Sequence, residues 1–117
     1  MEIDVRKREG VTILKPRGRI IGTAGVELRQ VINEHIAQAS GAPKFLFDFA
    51  EVPMMDSSGL GTLVGAHVSV ARAGGRIAVI NVGTSINNLI VMGRLITIFE
   101  RFNNEDEAIA ALAAERK

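Results

Sequence analysis

The sequence predicts an α/β fold, a single-domain sandwich built on a mixed β-sheet. Three observations carry that reading. Strand-like and helix-like segments alternate from residue 11 to the C-terminus; the strand-like ones are short apolar runs bounded by Pro or Gly; and the helix-like ones repeat their apolar residues at three- and four-residue spacing. Strands that follow one another through a helix are parallel, whereas two strands joined by a tight turn are antiparallel, so the sheet is mixed. At 117 residues the chain fits one domain, spanning 1–117, and a globule of that size buries roughly 65% of the surface of its unfolded chain. One core suffices, and no repeat, linker or low-complexity tract interrupts it.

Residues 2 to 8 alternate weakly, and Val11 to Pro16 form a second extended run after Glu9-Gly10, which reads as a hairpin turned at Gly10. A glycine-rich connection, Gly18 to Gly25, leads to a helix whose stripe is Leu28, Val31, Ile32, Ile36 and Ala39 and which Gly41-Ala42-Pro43 stops. Lys44 to Phe49 lies between Pro43 and Pro53 and reads as a central strand with Asp48 at its carboxyl end. From Ser57 to Ala73, Leu60, Leu63, Val64, Val68 and Ala71 keep helical phase until Gly74-Gly75. Arg76 to Val82 is a buried strand, Ser85 to Gly93 a short helix, and Ile96 to Phe99 a last short strand. The final helix starts at Asn103 or Asn104, with Glu105, Asp106 and Glu107 in its first turn and Arg116-Lys117 at its end, charges that match the helix dipole.

Composition removes several function classes. There is no Cys, so disulfides, thiolate zinc sites and a cysteine nucleophile are excluded. A balance of 14 basic against 13 acidic residues offers no field for nucleic acid or anionic membrane. The aromatic residues are five Phe with no Trp or Tyr, which reads as core and not as a base-stacking platform. The charged opening, Glu2 to Arg8, and the lack of any apolar run near the ~20 residues that span a bilayer predict a cytoplasmic protein without export signal or anchor.

The most informative stretch is Met54-Met55-Asp56-Ser57-Ser58-Gly59-Leu60-Gly61, which puts hydroxyls and glycines on the first turn of a helix that follows a core strand. Free N–H groups and the helix dipole there stabilise an anion by roughly 0.3 to 1 kcal/mol, so a phosphate on Ser57 meets a favourable field. It also adds about −1.5 to −2 charges beside Asp56, enough to repel a partner shaped for a neutral hydroxyl. The plainer alternative makes Asp56 an N-cap, the serines first-turn residues and the glycines packing devices. Gly59, Gly61 and Gly65 weigh against it, because each costs about 1 kcal/mol relative to alanine inside a helix.

Catalytic readings fit less well. Gly59-x-Gly61-x-x-x-Gly65 is not the dinucleotide fingerprint, and no Lys follows as a phosphate-binding loop requires. Ser57 lacks the Gly-x-Ser-x-Gly elbow, and His67 lies ten residues along the same helix, about 15 Å away, too far to act as its base. Asp48, Glu51 and Asp56 near the strand end form the one candidate set for a hard metal, with loop solvation as the simpler account. We therefore assign no catalytic residue, no metal and no cofactor.

The run Val52-x-x-Met55-Asp56-Ser57-Ser58-Gly59-Leu60-Gly61 resembles the signature of STAS domains of the bacterial anti-sigma factor antagonist kind. Gly18 before the first helix, Gly74-Gly75-Arg76 before a strand ending near Asn81-Val82, and the acidic opening of the last helix with Glu107-Ala108 extend the likeness along nearly the whole chain. The resemblance implies about four helices packed mainly on one face of the sheet, and a partner-switching role. In such circuits the unphosphorylated antagonist binds an anti-sigma factor that is also a serine kinase and frees the sigma factor; the kinase phosphorylates the antagonist with its own ATP, and a metal-dependent serine phosphatase reverses this. The resemblance makes Ser57 the phosphorylated residue, with Ser58 as fallback, and makes Asp56, Ser57, Ser58, Gly59, Leu60 and Gly61 the contact surface. A second copy of the chain is a further candidate partner.

Two positions depart from the family pattern. The aspartate common after a Gly-x-hydrophobic turn falls on Ile21, and a frequent Gly-Leu pair appears as Gly93-Arg94-Leu95. Ile21 also suits a scaffold module of a stressosome-like or other signalling assembly. A third reading, a small-ligand or nucleotide module using the glycine-rich turn, belongs to a different class.

Overall fold

The computed structural model describes residues 1–95 and 98–114. Strands β1 (Glu2–Arg8) and β2 (Val11–Arg17) form the expected hairpin, with Glu9 and Gly10 both at positive φ in its turn. Then follow α1 (Ala24–Gln38), β3 (Lys44–Asp48), α2 (Ser57–Arg72), β4 (Arg76–Ile80), α3 (Thr84–Met92), β5 (Glu100–Arg101) and α4 (Glu105–Ala113). Among the described residues the strands form one five-stranded sheet in the order β1-β2-β3-β4-β5, antiparallel at β1/β2 and parallel elsewhere.

That strand order explains where the helices sit. The crossovers α1, α2 and α3 each step the chain to the next strand in the same direction, and crossovers of one hand taken in one direction fall on one face. Their buried residues, Leu28 and Ile32, Leu63, Ala66 and Val70, and Ile86 and Ile90, share one core with Leu14, Phe45, Phe47, Ile77 and Val79. The intervening strand residues point the other way, as the period of a strand requires. Val11, Ile13, Leu46, Ala78 and Ile80 meet Ala108, Ile109 and Leu112 of α4, which follows the last strand and is free to cover the opposite face. Arg76 ties this layer together, reaching Glu100 on β5 and the carbonyl of Ala111 on α4 at 2.9 and 2.8 Å. Asn104 caps α4 by accepting from the Glu107 N–H, and Arg8 holds both Glu105 and Asp106 of its acidic first turn. Arg116 and Lys117 lie outside the described residues.

Four expectations need correction. The last strand is Glu100–Arg101; Ile98 and Phe99 precede it in a turn and bend, Ile98 N–H bonding Leu95 O, and Ile96 and Thr97 lie outside the described residues. The apolar run there marks burial, Phe99 being 4% exposed, and not pairing. The buried stripe of α2 is Gly59, Thr62, Leu63, Ala66 and Val70; Leu60 and Val64 are half-buried, and Val68 and Ala71 face solvent. Small residues turn toward the core because α2 packs closely against neighbouring backbone. On α1, Ala39 lies beyond the helix and is exposed. Strand β4 stops at Ile80 because Asn81 takes a positive φ of 57° and donates its side-chain N–H to Asp48.

Gly75 sits where the α2–β4 connection passes the end of the α1–β3 connection. A Cβ there would stand 1.9 Å from the Pro43 carbonyl oxygen and 2.8 Å from Val70 Cγ1, and the backbone atom has nowhere to move. Gly75→Ala should therefore cost about 3 kcal/mol in urea denaturation, at the upper end of overpacking costs. Gly41→Ala, with nothing within 4 Å of its Cβ, should alter stability by less than about 1 kcal/mol. Equal stabilities for the two variants would show that the crossing is not tight.

Candidate functional site

Chemistry in an open parallel sheet gathers where the loops leave the carboxyl ends of the strands. Here two such loops run side by side. Beyond β2 the chain turns through Gly18 at φ 95°, and beyond β3 it runs from Phe49 to Asp56 before α2. Backbone bonds join them: Gly18 N–H to Glu51 O at 2.9 Å, Ile20 N–H to Met54 O at 3.1 Å, and Asp56 N–H to Ile20 O at 3.2 Å. Ile20 and Met55 thus pair as a short parallel bridge, both side chains buried at 0% and 3% exposure.

Asp56 is the N-cap of α2. Its Oδ1 accepts from the Gly59 N–H at 3.0 Å and from the Ser58 hydroxyl at 2.6 Å, and its Oδ2 accepts from the Gly22 N–H at 3.2 Å. The Ser58 hydroxyl first, then the Gly59 and Gly22 N–H groups, favour the charged form and lower the carboxyl pKa from 3.8 to about 2. The helix N-terminus that the sequence marks as an anion site is therefore already served by this carboxylate. Ser57, the first residue of α2, is exposed beside it.

The three glycines divide. Gly59 is buried, and a Cβ on it would stand 2.7 Å from Ile20 O and 2.6 Å from Met55 Cγ, so this position needs glycine for close packing. Gly61 and Gly65 are exposed with nothing within 4 Å of a Cβ. Leu60 is half-buried against the core. Asp56, Ser57, Ser58, Gly59, Leu60 and Gly61 are thus contiguous, but Gly59 faces inward.

Other candidates fall away from this point. Asp48 is 7% exposed and is satisfied by the Ala50 N–H at 3.0 Å and the Asn81 side-chain N–H at 2.9 Å. No group of three or more metal-ligating side chains converges among the described residues. His67 stands edge-on to the Phe99 ring at 6.1 Å, and His35 Nδ1 lies 2.8 Å from Val31 O, so both are half-buried boundary residues. No helix of the described residues is long and apolar enough to cross a membrane.

Sequence reasoning missed two contributors. Gly22 supplies a backbone donor, which no side-chain pattern reveals, although two glycines four residues apart before α1 hint at an unusual turn. Buried Thr62 places its hydroxyl 3.2 Å from both Gly25 O on α1 and Ser58 O on α2, clamping the first turns of the two helices. Its place among apolar residues at helical phase could have marked it as an inward polar group.

The sign of the Asp56 shift fixes a pH dependence. A depressed carboxyl contributes stability that is fully present above its unfolded value near 3.8 and is lost as pH falls through about 2. Carbon-detected NMR titration should find the Asp56 midpoint well below 3.8. The stability gap between wild type and Asp56→Asn should be constant above pH ~5 and shrink as pH falls toward about 2; an ordinary midpoint with a pH-independent gap would contradict the three-donor geometry.

Comparison with known proteins agrees with this architecture. The chain is 27% identical over 112 residues to an anti-sigma F factor antagonist of Paenibacillus polymyxa, covering 96% of this chain and 95% of that one. An anti-sigma factor antagonist from Mycobacterium paratuberculosis superposes with a TM-score of 0.83 at 22% identity, over 97% and 94% of the two chains. The Bacillus cell fate determinant SpoIIAA in its phosphorylated form superposes with a TM-score of 0.74 at 20% identity, over 94% and 98%. At those identities the structures speak to fold. The sequence itself matches the model of the STAS domain over residues 2–108, and the chain belongs to that family.

Proposed function

We propose that this protein is an anti-sigma factor antagonist whose binding is switched by phosphorylation of Ser57. Unphosphorylated, the surface from Asp56 to Gly61 binds an anti-sigma factor that is also a serine kinase, and the sigma factor is released in the cytoplasm. The kinase then modifies the antagonist: Ser57 Oγ attacks the γ-phosphorus of kinase-bound ATP, the bond from that phosphorus to the bridging oxygen breaks, ADP leaves, and a base on the kinase takes the hydroxyl proton. A serine phosphatase hydrolyses the ester and restores the binding form.

The observation that carries this reading is the contrast between the two serines. Ser57 is exposed at the tip of α2, while the Ser58 hydroxyl is committed to Asp56 at 2.6 Å. A kinase reaching this turn meets Ser57 as the free acceptor. Asp56 explains the sensitivity of the switch. Its carboxylate already draws on the nearby N–H donors, so a phosphate adding about −1.5 to −2 charges finds a fixed negative neighbour. Like charge set against a surface fitted to a neutral hydroxyl costs several kcal/mol. The Paenibacillus relative is named for antagonism of an anti-sigma factor, and SpoIIAA has a phosphorylated form; both support the reading.

The test combines the purified protein with the anti-sigma-factor kinases encoded by its own genome and with ATP. One phosphate per chain should appear, located to Ser57 by peptide mass spectrometry. Ser57→Ala should accept none yet still bind, and Ser57→Asp should bind at least about 30-fold more weakly, the equivalent of about 2 kcal/mol. Phosphate on Ser58 instead, or undiminished binding by Ser57→Asp, would overturn the assignment.

A further inference from the structure

The short parallel bridge that positions Asp56 also has an outer face. Side chains alternate along extended backbone, so with Ile20 and Met55 turned into the core, the residues on either side turn out. Ile21 and Met54 are 37% and 39% exposed, large and apolar, and Arg19 stands exposed on the same segment. The bridge register sets Ile21 opposite Asp56 and Met54 three residues before Ser57. Backbone bonds on Ile20, Gly22 and Met54 hold both loops in place. With the backbone beneath them already fixed, covering these groups orders only the side chains, so less of the gain is lost than on a mobile loop.

We infer that Ile21 and Met54 are specificity-determining anchors of the Ser57 contact, received by an uncharged apolar recess on the kinase that modifies it, with Arg19 at the rim. The inference rests on the proposed function and names the chemistry of its partner. A phosphoryl donor must come within about 3–3.5 Å of Ser57 Oγ, so the protein that carries it encloses the neighbours of Ser57, and these two are large exposed apolar side chains on the bridged loops beside it. The adjoining helix offers no charge for an alternative contact: between Asp56 and Arg72 there is no Lys, Arg, Asp or Glu. A few residues near the centre of an interface, screened from water, carry most of its energy.

The experiment measures, for the kinase that modifies the wild-type protein, its dissociation constant and its rate of Ser57 phosphorylation at limiting concentration. The variants are Ile21→Leu, Ile21→Asp, the double variant Ile21→Ala with Met54→Ala, and Val5→Ala on edge strand β1 as an exposed apolar control (Val5 is 41% exposed). Thermal unfolding of each reports folding. The double variant should bind at least about 30-fold more weakly and Ile21→Asp at least about 100-fold, with phosphorylation rates falling in parallel. Ile21→Leu, which keeps the apolar volume, should bind at least about tenfold more tightly than Ile21→Asp, Val5→Ala should stay within about threefold of wild type, and all should unfold at the wild-type midpoint. Wild-type affinity in the double variant, while Ser57 is still phosphorylated, would overturn this inference and leave the switch standing. A wild-type protein that no kinase modifies would overturn both.

Discussion

The contact of buried Gly59 with the Ile20–Met55 bridge holds the candidate site together. Three backbone hydrogen bonds stitch the loop after β2 to the loop after β3, and each is worth about 1 kcal/mol net. Burial of Ile20 and Met55 contributes roughly 1.5 to 3 kcal/mol apiece, so apolar packing and the ladder contribute comparably. Both depend on α2 coming close, and it can do so only because Gly59 has no side chain to strike Ile20 O at 2.7 Å. Everything downstream inherits this geometry: the position of Asp56, the start of α2 and the outward presentation of Ser57.

The sheet supplies the rigid frame behind that contact. Its sequential strand order sends three crossover helices to one face and leaves the other to α4, so the central strands β2, β3 and β4 are buried on both sides while β1 remains a largely exposed edge. Phe45, Phe47 and Phe49 illustrate the arrangement. They alternate with Leu46 and Asp48, stack at 6.4 and 5.9 Å, and all three point into the core under α1 to α3. The loops at the carboxyl ends of β2 and β3 therefore rest on a filled core, which suits the proposed role of presenting one hydroxyl in one place.

Electrostatics at the tip of α2 divides labour between neighbours. Asp56 takes the Gly59 and Gly22 donors and the Ser58 hydroxyl, which keeps its carboxylate charged and fixed. A phosphate arriving on Ser57 would find these three groups already bonded to Asp56 and a like charge beside it. In the proposed circuit the unmodified turn is the binding form, and modification works by repulsion and lost fit, with no conformational change required.

Local rules made much of this legible in the sequence. Apolar periodicity, Gly10 in the hairpin turn, a cap at Asn103 or Asn104, and alternation of strand and helix each depend on residues close in the chain, and the order of elements then dictates a mixed sheet. The run Asp56 to Gly61 points to the proposed site for the same reason. What the sequence did not disclose depends on residues far apart in it. The phase of α2 escapes a hydrophobicity pattern because Gly59 and Thr62 face inward against Ile20 and Gly25, small surfaces that hydrophobicity does not register. The last strand was misplaced because pairing with Ala78 and Val79, not apolar character, selects Glu100–Arg101. The bonds that Asp56 accepts from Ser58 and Gly59 are local, but its third donor exists only because folding brings Gly22 within 3.2 Å of it, 34 residues away. The sequence by itself determined most of the elements, their order and the stretch in which the proposed site lies; tertiary structure alone decided which glycine packs, which distant donor completes the hold on Asp56 and what surrounds the exposed hydroxyl, because those follow from contacts between segments that no local pattern encodes.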